Sequence, residues 1–102
     1  MTVEVDTLRM ALLSMCAERH TPLHAVYAHV EDWLARPIAS GEIEQAIGEL
    51  EQAGLLAAYR LERSEWIAFP LRETEPEQGL RYLTTPEGAA AAFAAWERFF
   101  GE

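Results

Sequence analysis

The segment "EIEQAIGELEQAGLL", residues 42–56, combines apolar residues at helical spacing with a residue that ends a helix, and this combination decides the fold. Gly54 is the residue type that accepts a left-handed turn, so the helix should end there. Ser40 opens it and is expected to cap it alone, since Ile43 stands where a capping box needs glutamate. The apolar residues recur at the helical period and should face the core: Ile43, Ala46, Ile47 and Leu50.

Two further helices are predicted before this segment. The first covers residues 7–18, with Asp6 or Thr7 as its cap. The second begins at Thr21-Pro22, with threonine at the cap and proline at the first helical position, and Arg36-Pro37 ends it. The first helix carries an apolar stripe of Leu8, Ala11, Leu12, Met15 and Cys16, and Met10 and Leu13 widen it. The second carries Leu23, Val26, Tyr27, Val30 and Leu34.

After Gly54 the pattern changes to that of β-strands. Residues 55–61 and 66–71 are the first two predicted strands, joined by the polar turn at residues 62–64. Pro70 favours an edge position for the second strand. Residues 72–79 are acidic and should form a mobile loop before a short strand at residues 80–84.

The sequence ends in a strong helix signal. Thr85-Pro86-Glu87 combines a capping threonine with proline at the first helical position, and the predicted helix covers residues 86–100. The element order is thus three helices, two or three strands and a last helix. We predict one α+β domain over residues 1–102, mainly helical, with a helix-turn-helix followed by a β-hairpin wing.

Two segments resemble winged-helix regulators of the PadR and MarR type. Residues 42–56 resemble the third helix and first wing strand, with Leu50, Gly54 and Leu55 at the junction. Residues 81–88, "RYLTTPEG", resemble the strand-to-helix turn that closes the domain. The family pattern has one residue between the tyrosine and the leucine, whereas the two are adjacent here. The resemblance implies that the third helix enters the major groove, that the hairpin lies near the minor groove or backbone, and that the last helix pairs subunits.

Composition indicates a cytoplasmic protein. Cys16 is the only cysteine among 102 residues, so no internal disulfide can form, as in a reducing compartment. Charged residues interrupt the N-terminal segment, which therefore lacks a signal-peptide pattern. No apolar run approaches the roughly 20 residues that a membrane span needs. We therefore expect no membrane partner.

The charge of the third helix argues against ordinary DNA reading. The chain has 17 acidic residues against 8 basic ones, all arginine, and a formal net charge of −9. The third helix has no basic residue, whereas phosphates and most base edges require donors. Its predicted partner-facing side consists of Glu42, Gln45, Glu49 and Gln52, flanked by Glu44 and Glu51.

Half of the arginines lie in or near the predicted wing. These are Arg60, Arg63, Arg72 and Arg81. Strand alternation could bring Arg60 and Arg81 near each other, and a contact with DNA through the wing stays open. Ion pairing with the neighbouring glutamates is the favoured interpretation: Glu62, Glu65, Glu73 and Glu75.

The last helix is the candidate for homodimerisation. Its sequence "AAAAFAAWERFF" contains only two polar residues, and a single domain buries one face of such a helix. Alanines allow close approach and aromatic residues anchor interfaces. The candidate dimer residues are Phe93, Trp96, Phe99 and Phe100. Complete packing of the helix on its own core is the alternative.

We expect no enzyme, no metal and no cofactor. His20, His24 and His29 have poor spacing for shared zinc ligation, and no second cysteine is available. Cys16 falls within an apolar stripe and is predicted to be a core thiol. No phosphate loop or nucleophile motif is present in the sequence.

Three functions remain open. The first is an interaction module whose acidic face receives a basic protein or, more narrowly, imitates DNA. The second is a DNA-binding regulator of PadR or MarR type that uses the wing arginines. The third is a small-ligand sensor with a pocket between the last helix and Trp33 or Trp66.

Overall fold

The computed structural model of the chain describes residues 4–19, 21–62, 65–68 and 81–101, and only the backbone at residues 60–62 and 66–68. Within them lie four helices: α1 (Thr7–Met15), α2 (Leu23–Leu34), α3 (Ser40–Gln52) and α4 (Pro86–Phe100). Four strands accompany them: β1 (Thr21–Pro22), β2 (Leu56–Glu62), β3 (Glu65–Ala68) and β4 (Arg81–Thr84). The predicted α+β class with mainly helical content is confirmed.

The strands form one antiparallel sheet in the order β1-β4-β2-β3. The predicted edge position of the second hairpin strand is confirmed, because β3 pairs with β2 alone among the described strands. Tyr82 of β4 lies opposite both Thr21 and Ala58, and its side chain is fully buried. The sheet therefore joins the start of α2 to the segment that follows α3.

Helix α1 lies at the centre of the core, packed against α2, α3 and α4. Asp6 caps it by accepting a hydrogen bond from the backbone N–H of Arg9 at 3.0 Å. The stripes predicted for the first three helices supply most of the large buried side chains: Leu8, Leu12, Leu13, Val26, Val30, Ile43, Ile47 and Leu50. These stripes are thus confirmed.

The predicted first helix is three residues too long. The structure ends α1 at Met15, where donors of β4 form hydrogen bonds with carbonyl oxygens at the C-terminal end of the helix. The Thr84 hydroxyl donates to the Leu13 carbonyl at 2.6 Å, and the Thr84 N–H donates to the Cys16 carbonyl at 2.9 Å. These tertiary bonds replace the next helical turn.

The predicted helix start at Thr21-Pro22 is wrong. Thr21 pairs with Tyr82 in the sheet, and its hydroxyl donates to the Arg19 carbonyl at 3.1 Å instead of accepting from α2. Helix α2 begins at Leu23, and Pro22 precedes it without a side-chain cap. The threonine hydroxyl thus bonds to a carbonyl oxygen of the loop after α1 and does not cap α2.

The cap predicted for Ser40 is also wrong, whereas the helix stop at Gly54 is confirmed. Ser40 is already helical, and Ala39 precedes it without a side-chain cap. Gly54 has a φ of 75°, and two hydrogen bonds close the end of α3: Gly54 N–H to Glu51 and Leu55 N–H to Leu50. This pattern is the Schellman motif.

Candidate interaction surfaces

The outer face of α3 is acidic, as predicted, but its residues differ in exposure. Glu42, Gln45 and Gln52 are exposed to solvent. Glu49 is half-buried, and its carboxylate accepts a hydrogen bond from Gln45 at 3.4 Å. The four residues therefore lie on one helix, with Glu49 turned toward a neighbouring element.

The glutamates of α3 bind donors from α1 and α2. Arg36 lies 3.6 Å from the Glu42 carboxylate, and both side chains are about half exposed. The Tyr27 hydroxyl donates to Glu44 at 2.7 Å. Arg36 is the only arginine of α2 and the turn that follows it. The one cation that this part of the chain supplies is therefore already paired with a carboxylate of α3.

Arg9 joins α1 to α3 through Glu49. Its Nε donates to Glu49 Oε2 at 2.9 Å, and its Nη2 also contacts that oxygen. Nη1 donates to Asp6 Oδ2 at 2.9 Å. Burial lowers the pKa of Arg9, but the hydrogen bonds to Glu49 and Asp6 outweigh it and raise the pKa above its ordinary value. The guanidinium therefore stays charged between two carboxylates.

Sequence reasoning did not predict a role for Arg9. The residue is separated from Glu49 by 40 positions, so neither helical spacing nor strand alternation connects them. The one local signal was Asp6, three residues earlier, which is near enough for an ion pair on the first turn of a helix.

The predicted wing arginines are only partly within the described residues. Arg81 is exposed on β4 and lies opposite Tyr59 of β2. Arg60 is the next residue of β2 and pairs in register with Ile67 of β3. The two arginines therefore occupy neighbouring strands but are offset by one position, so the register does not make them the cross-strand neighbours that alternation suggested. Arg63 and Arg72 lie outside the described residues.

Helix α4 packs some of its small residues on the core and turns its aromatic residues outward. Its bounds match the predicted residues 86–100, and Thr85 caps it by accepting from the Gly88 N–H at 3.0 Å. Ala95 is buried, and Ala91 and Ala92 pack against the core. All four candidate dimer residues are exposed: Phe93 by 66%, Trp96 by 49%, Phe99 by 41% and Phe100 by 58%. This arrangement leaves an aromatic face without cover from the described part of the chain.

Ring contacts order the end of this helix. The centroids of Trp96 and Phe100 lie 4.5 Å apart with the rings tilted by 41°. The Arg98 guanidinium lies 4.8 Å from the centroid of Phe99 and also donates to the Val5 carbonyl.

Among the helices that the structure describes, none is long and apolar enough to cross a membrane.

Two of the three histidines and the cysteine lie within the described residues. His24 and His29 are exposed on α2, and His20 lies outside the described residues. Across the described ranges, no group of three or more histidine, cysteine or acidic residues is arranged to hold a metal ion. Cys16 is buried, which confirms the core thiol, and burial raises its pKa to about 11 against a hydrogen bond with Thr21.

No model of a known protein family matches the chain, and no curated protein matches it. The two segments that carry the winged-helix resemblance nevertheless meet in space. The Thr85 N–H donates to the Leu55 carbonyl at 3.1 Å, and the Thr85 hydroxyl donates to the Gly54 carbonyl at 2.7 Å. Gly88 packs so closely that an added Cβ would overlap the Leu55 carbonyl oxygen.

Proposed function

We propose that the chain is a winged-helix regulatory or interaction module that acts through protein contacts and dimerisation instead of ordinary major-groove reading. In this assignment α1–α3 form the helix-turn-helix core and the β2–β3 hairpin with β4 forms the wing. The junction of residues 54–55 with residues 85–88 supports it, because both segments of the resemblance contribute to one contact.

The charge of α2 and α3 carries the functional proposal. We call the acidic surface the three exposed residues Glu31, Asp32 and Glu42. The Glu31 carboxylate also accepts a hydrogen bond from the Ile38 N–H at 3.2 Å. Arg36 is bound to Glu42 and Arg9 to Glu49, so two cations near a would-be recognition helix are already paired within the chain. DNA carries one negative charge per roughly 1.7 Å of helix axis, and its approach to this surface would be repelled.

A basic segment of another protein fits the acidic surface better than DNA does. Arginine or lysine side chains would gain charge-assisted hydrogen bonds to the exposed carboxylates. The overall net charge of −9 would also speed the encounter with a cationic partner. The proposed partner class is therefore a protein with a basic, solvent-accessible segment.

A short labelled peptide of alternating arginine and serine tests this assignment by fluorescence anisotropy at low and moderate salt. The variant Asp32→Asn with Glu42→Gln should weaken binding about threefold to tenfold, since it removes two exposed charges. Glu4→Gln with Glu18→Gln is the matched control, because both residues are exposed and lie outside α2 and α3. Equal loss in the two variants, or no binding at low salt, would overturn the assignment of the acidic surface.

We also propose that α4 pairs two copies of the chain. The support is the aromatic face, since exposed aromatic side chains of this size anchor interfaces. Trp96→Ala should shift the mass from light scattering at micromolar concentration from dimer to monomer. Trp33→Ala is a matched control, because Trp33 is 50% exposed on α2. A parent chain that is monomeric would refute dimerisation.

A DNA-binding regulator that uses the wing arginines is the second candidate. The observation in its favour is that Arg81 is exposed on β4. Submicromolar DNA binding that Arg60→Ala or Arg63→Ala abolishes would establish this candidate and reject a function restricted to protein contacts.

A further inference from the structure

The exposed face of α4 has the spacing of a helix–helix seam. Ala89, Phe93, Trp96 and Phe100 are all exposed and follow one another at intervals of four, three and four residues. This alternation is the a and d pattern by which two helices pack knobs into holes. The seam has one full interval on either side of its central one, and its midpoint lies between Phe93 and Trp96.

The side chains of the seam are small at its N-terminal end, at Ala89, and large at its C-terminal end, at Phe100. In a parallel pair each residue would meet its own copy, so alanine would face alanine at one end and phenylalanine would face phenylalanine at the other. In an antiparallel pair Ala89 would face Phe100, and Phe93 would face Trp96. We propose that two copies of the chain pair antiparallel through this seam, because that direction puts at least one large side chain in every layer, whereas the parallel direction leaves one layer of two alanines.

The exposed area fits a weak, reversible self-association. Taking about 200 Å² for a whole aromatic side chain, the exposed fractions of Phe93, Trp96 and Phe100 leave roughly 350 Å² of aromatic surface per copy. Two copies bring roughly 700 Å² before the exposed alanines are added, which is below the roughly 1,000 Å² of a stable specific interface. Residues 89–100 contain one Glu and one Arg, so this segment has no net charge despite the −9 of the chain.

This inference rests on the proposed dimerisation and adds a direction that can be tested separately. In the antiparallel pair the two copies of position 89 would lie about 16 Å apart along the axis, since position 89 faces position 100. Position 90 of one copy and position 97 of the other would lie about 3 Å apart along the axis. Both Ala90 and Glu97 are exposed, so cysteines are tolerated there.

The experiment uses the full chain with a bis-maleimide that reaches about one interhelical distance of 8–10 Å. Ala90→Cys with Glu97→Cys should give covalent dimer, and Ala89→Cys should give only the level of the parent chain. The parent is the control because Cys16 is buried and unreactive. Within one copy, positions 90 and 97 lie about 10 Å apart along the helix, so any internal link leaves the monomer mass unchanged.

The outcomes separate the direction from dimerisation itself. Covalent dimer from Ala89→Cys overturns the antiparallel direction but leaves the proposed dimer. The absence of covalent dimer from both variants, with a dimeric mass by light scattering, places the interface elsewhere and overturns the seam. A monomeric mass for the parent chain overturns both the seam and the dimer proposal.

Discussion

Arg9 of α1 binds Glu49 of α3 across 40 positions of sequence, with Nε and Oε2 separated by 2.9 Å. The contact ties the helix that lies deepest in the core to the helix whose outer face is acidic. It also removes one cation from the surface near α3. The stability of the helical core and the charge of its outer face therefore depend on the same ion pair.

The Arg9–Glu49 pair should contribute a measurable coupling energy. A double-mutant cycle of Arg9→Met and Glu49→Gln in urea should give about 0.5–1 kcal/mol, because the Arg9 side chain is only 16% exposed. The same cycle on Arg36 and Glu42 is the control and should give close to zero, since both side chains are about half exposed at 3.6 Å. Equal coupling in the two pairs would contradict this difference.

Gly88 should be intolerant of any side chain. Gly88→Ala should lower the free energy of unfolding by about 3 kcal/mol, because its Cβ would overlap the Leu55 carbonyl oxygen and lie 2.8 Å from Thr84 Cγ2. Gly48→Ala is the matched control: it is helical with nothing within 4 Å, and should raise stability by about 0.5–1 kcal/mol. Urea unfolding measures both, and a neutral Gly88→Ala variant would exclude the close packing of α4 on Leu55.

Cys16 should make stability depend on pH in the alkaline range. Burial raises the pKa of the thiol from its ordinary 9.0 to about 11, so the unfolded chain loses this proton before the folded chain does. The thiol's contribution is therefore complete below pH 9 and is lost as the pH rises toward 11.

The measurement compares the parent chain with Cys16→Ala by urea unfolding at several pH values. Between pH 9 and 11 the parent should lose stability relative to the variant by about 1.4 kcal/mol per pH unit. Other ionisations cancel because the two proteins share them. A difference that stays constant over this range would show that the thiol has an ordinary pKa.

Sequence reasoning succeeded where the signals were local. The stripe of Ile43, Ile47 and Leu50, the stop at Gly54 and the bounds of α4 all depend on residues a few positions apart. Thr85 next to Pro86 gave a strong start signal, and the long-range bond that its hydroxyl donates to the Gly54 carbonyl leaves the oxygen able to accept from the Gly88 N–H.

Apart from the cap at Ser40, the failures involve distant partners. Thr21 has the residue type of a cap, but Tyr82 pairs with its backbone and its hydroxyl bonds to the loop after α1. The periodicity of α4 showed that Phe93 and Trp96 share a face without showing that the alanines would be the side that packs on the core. The ion pair between Arg9 and Glu49 has no sequence signal, because 40 positions separate the two residues.

The most direct test of the account is a titration of the chain with duplex DNA, both random and enriched by selection, at about 50 and 200 mM salt. The central claim is that the chain acts through protein contacts and that neither the acidic surface nor the wing arginines bind DNA phosphates. We predict no binding at either salt concentration. Submicromolar binding that falls steeply with salt and is lost in Arg81→Ala or Arg60→Ala would contradict this claim.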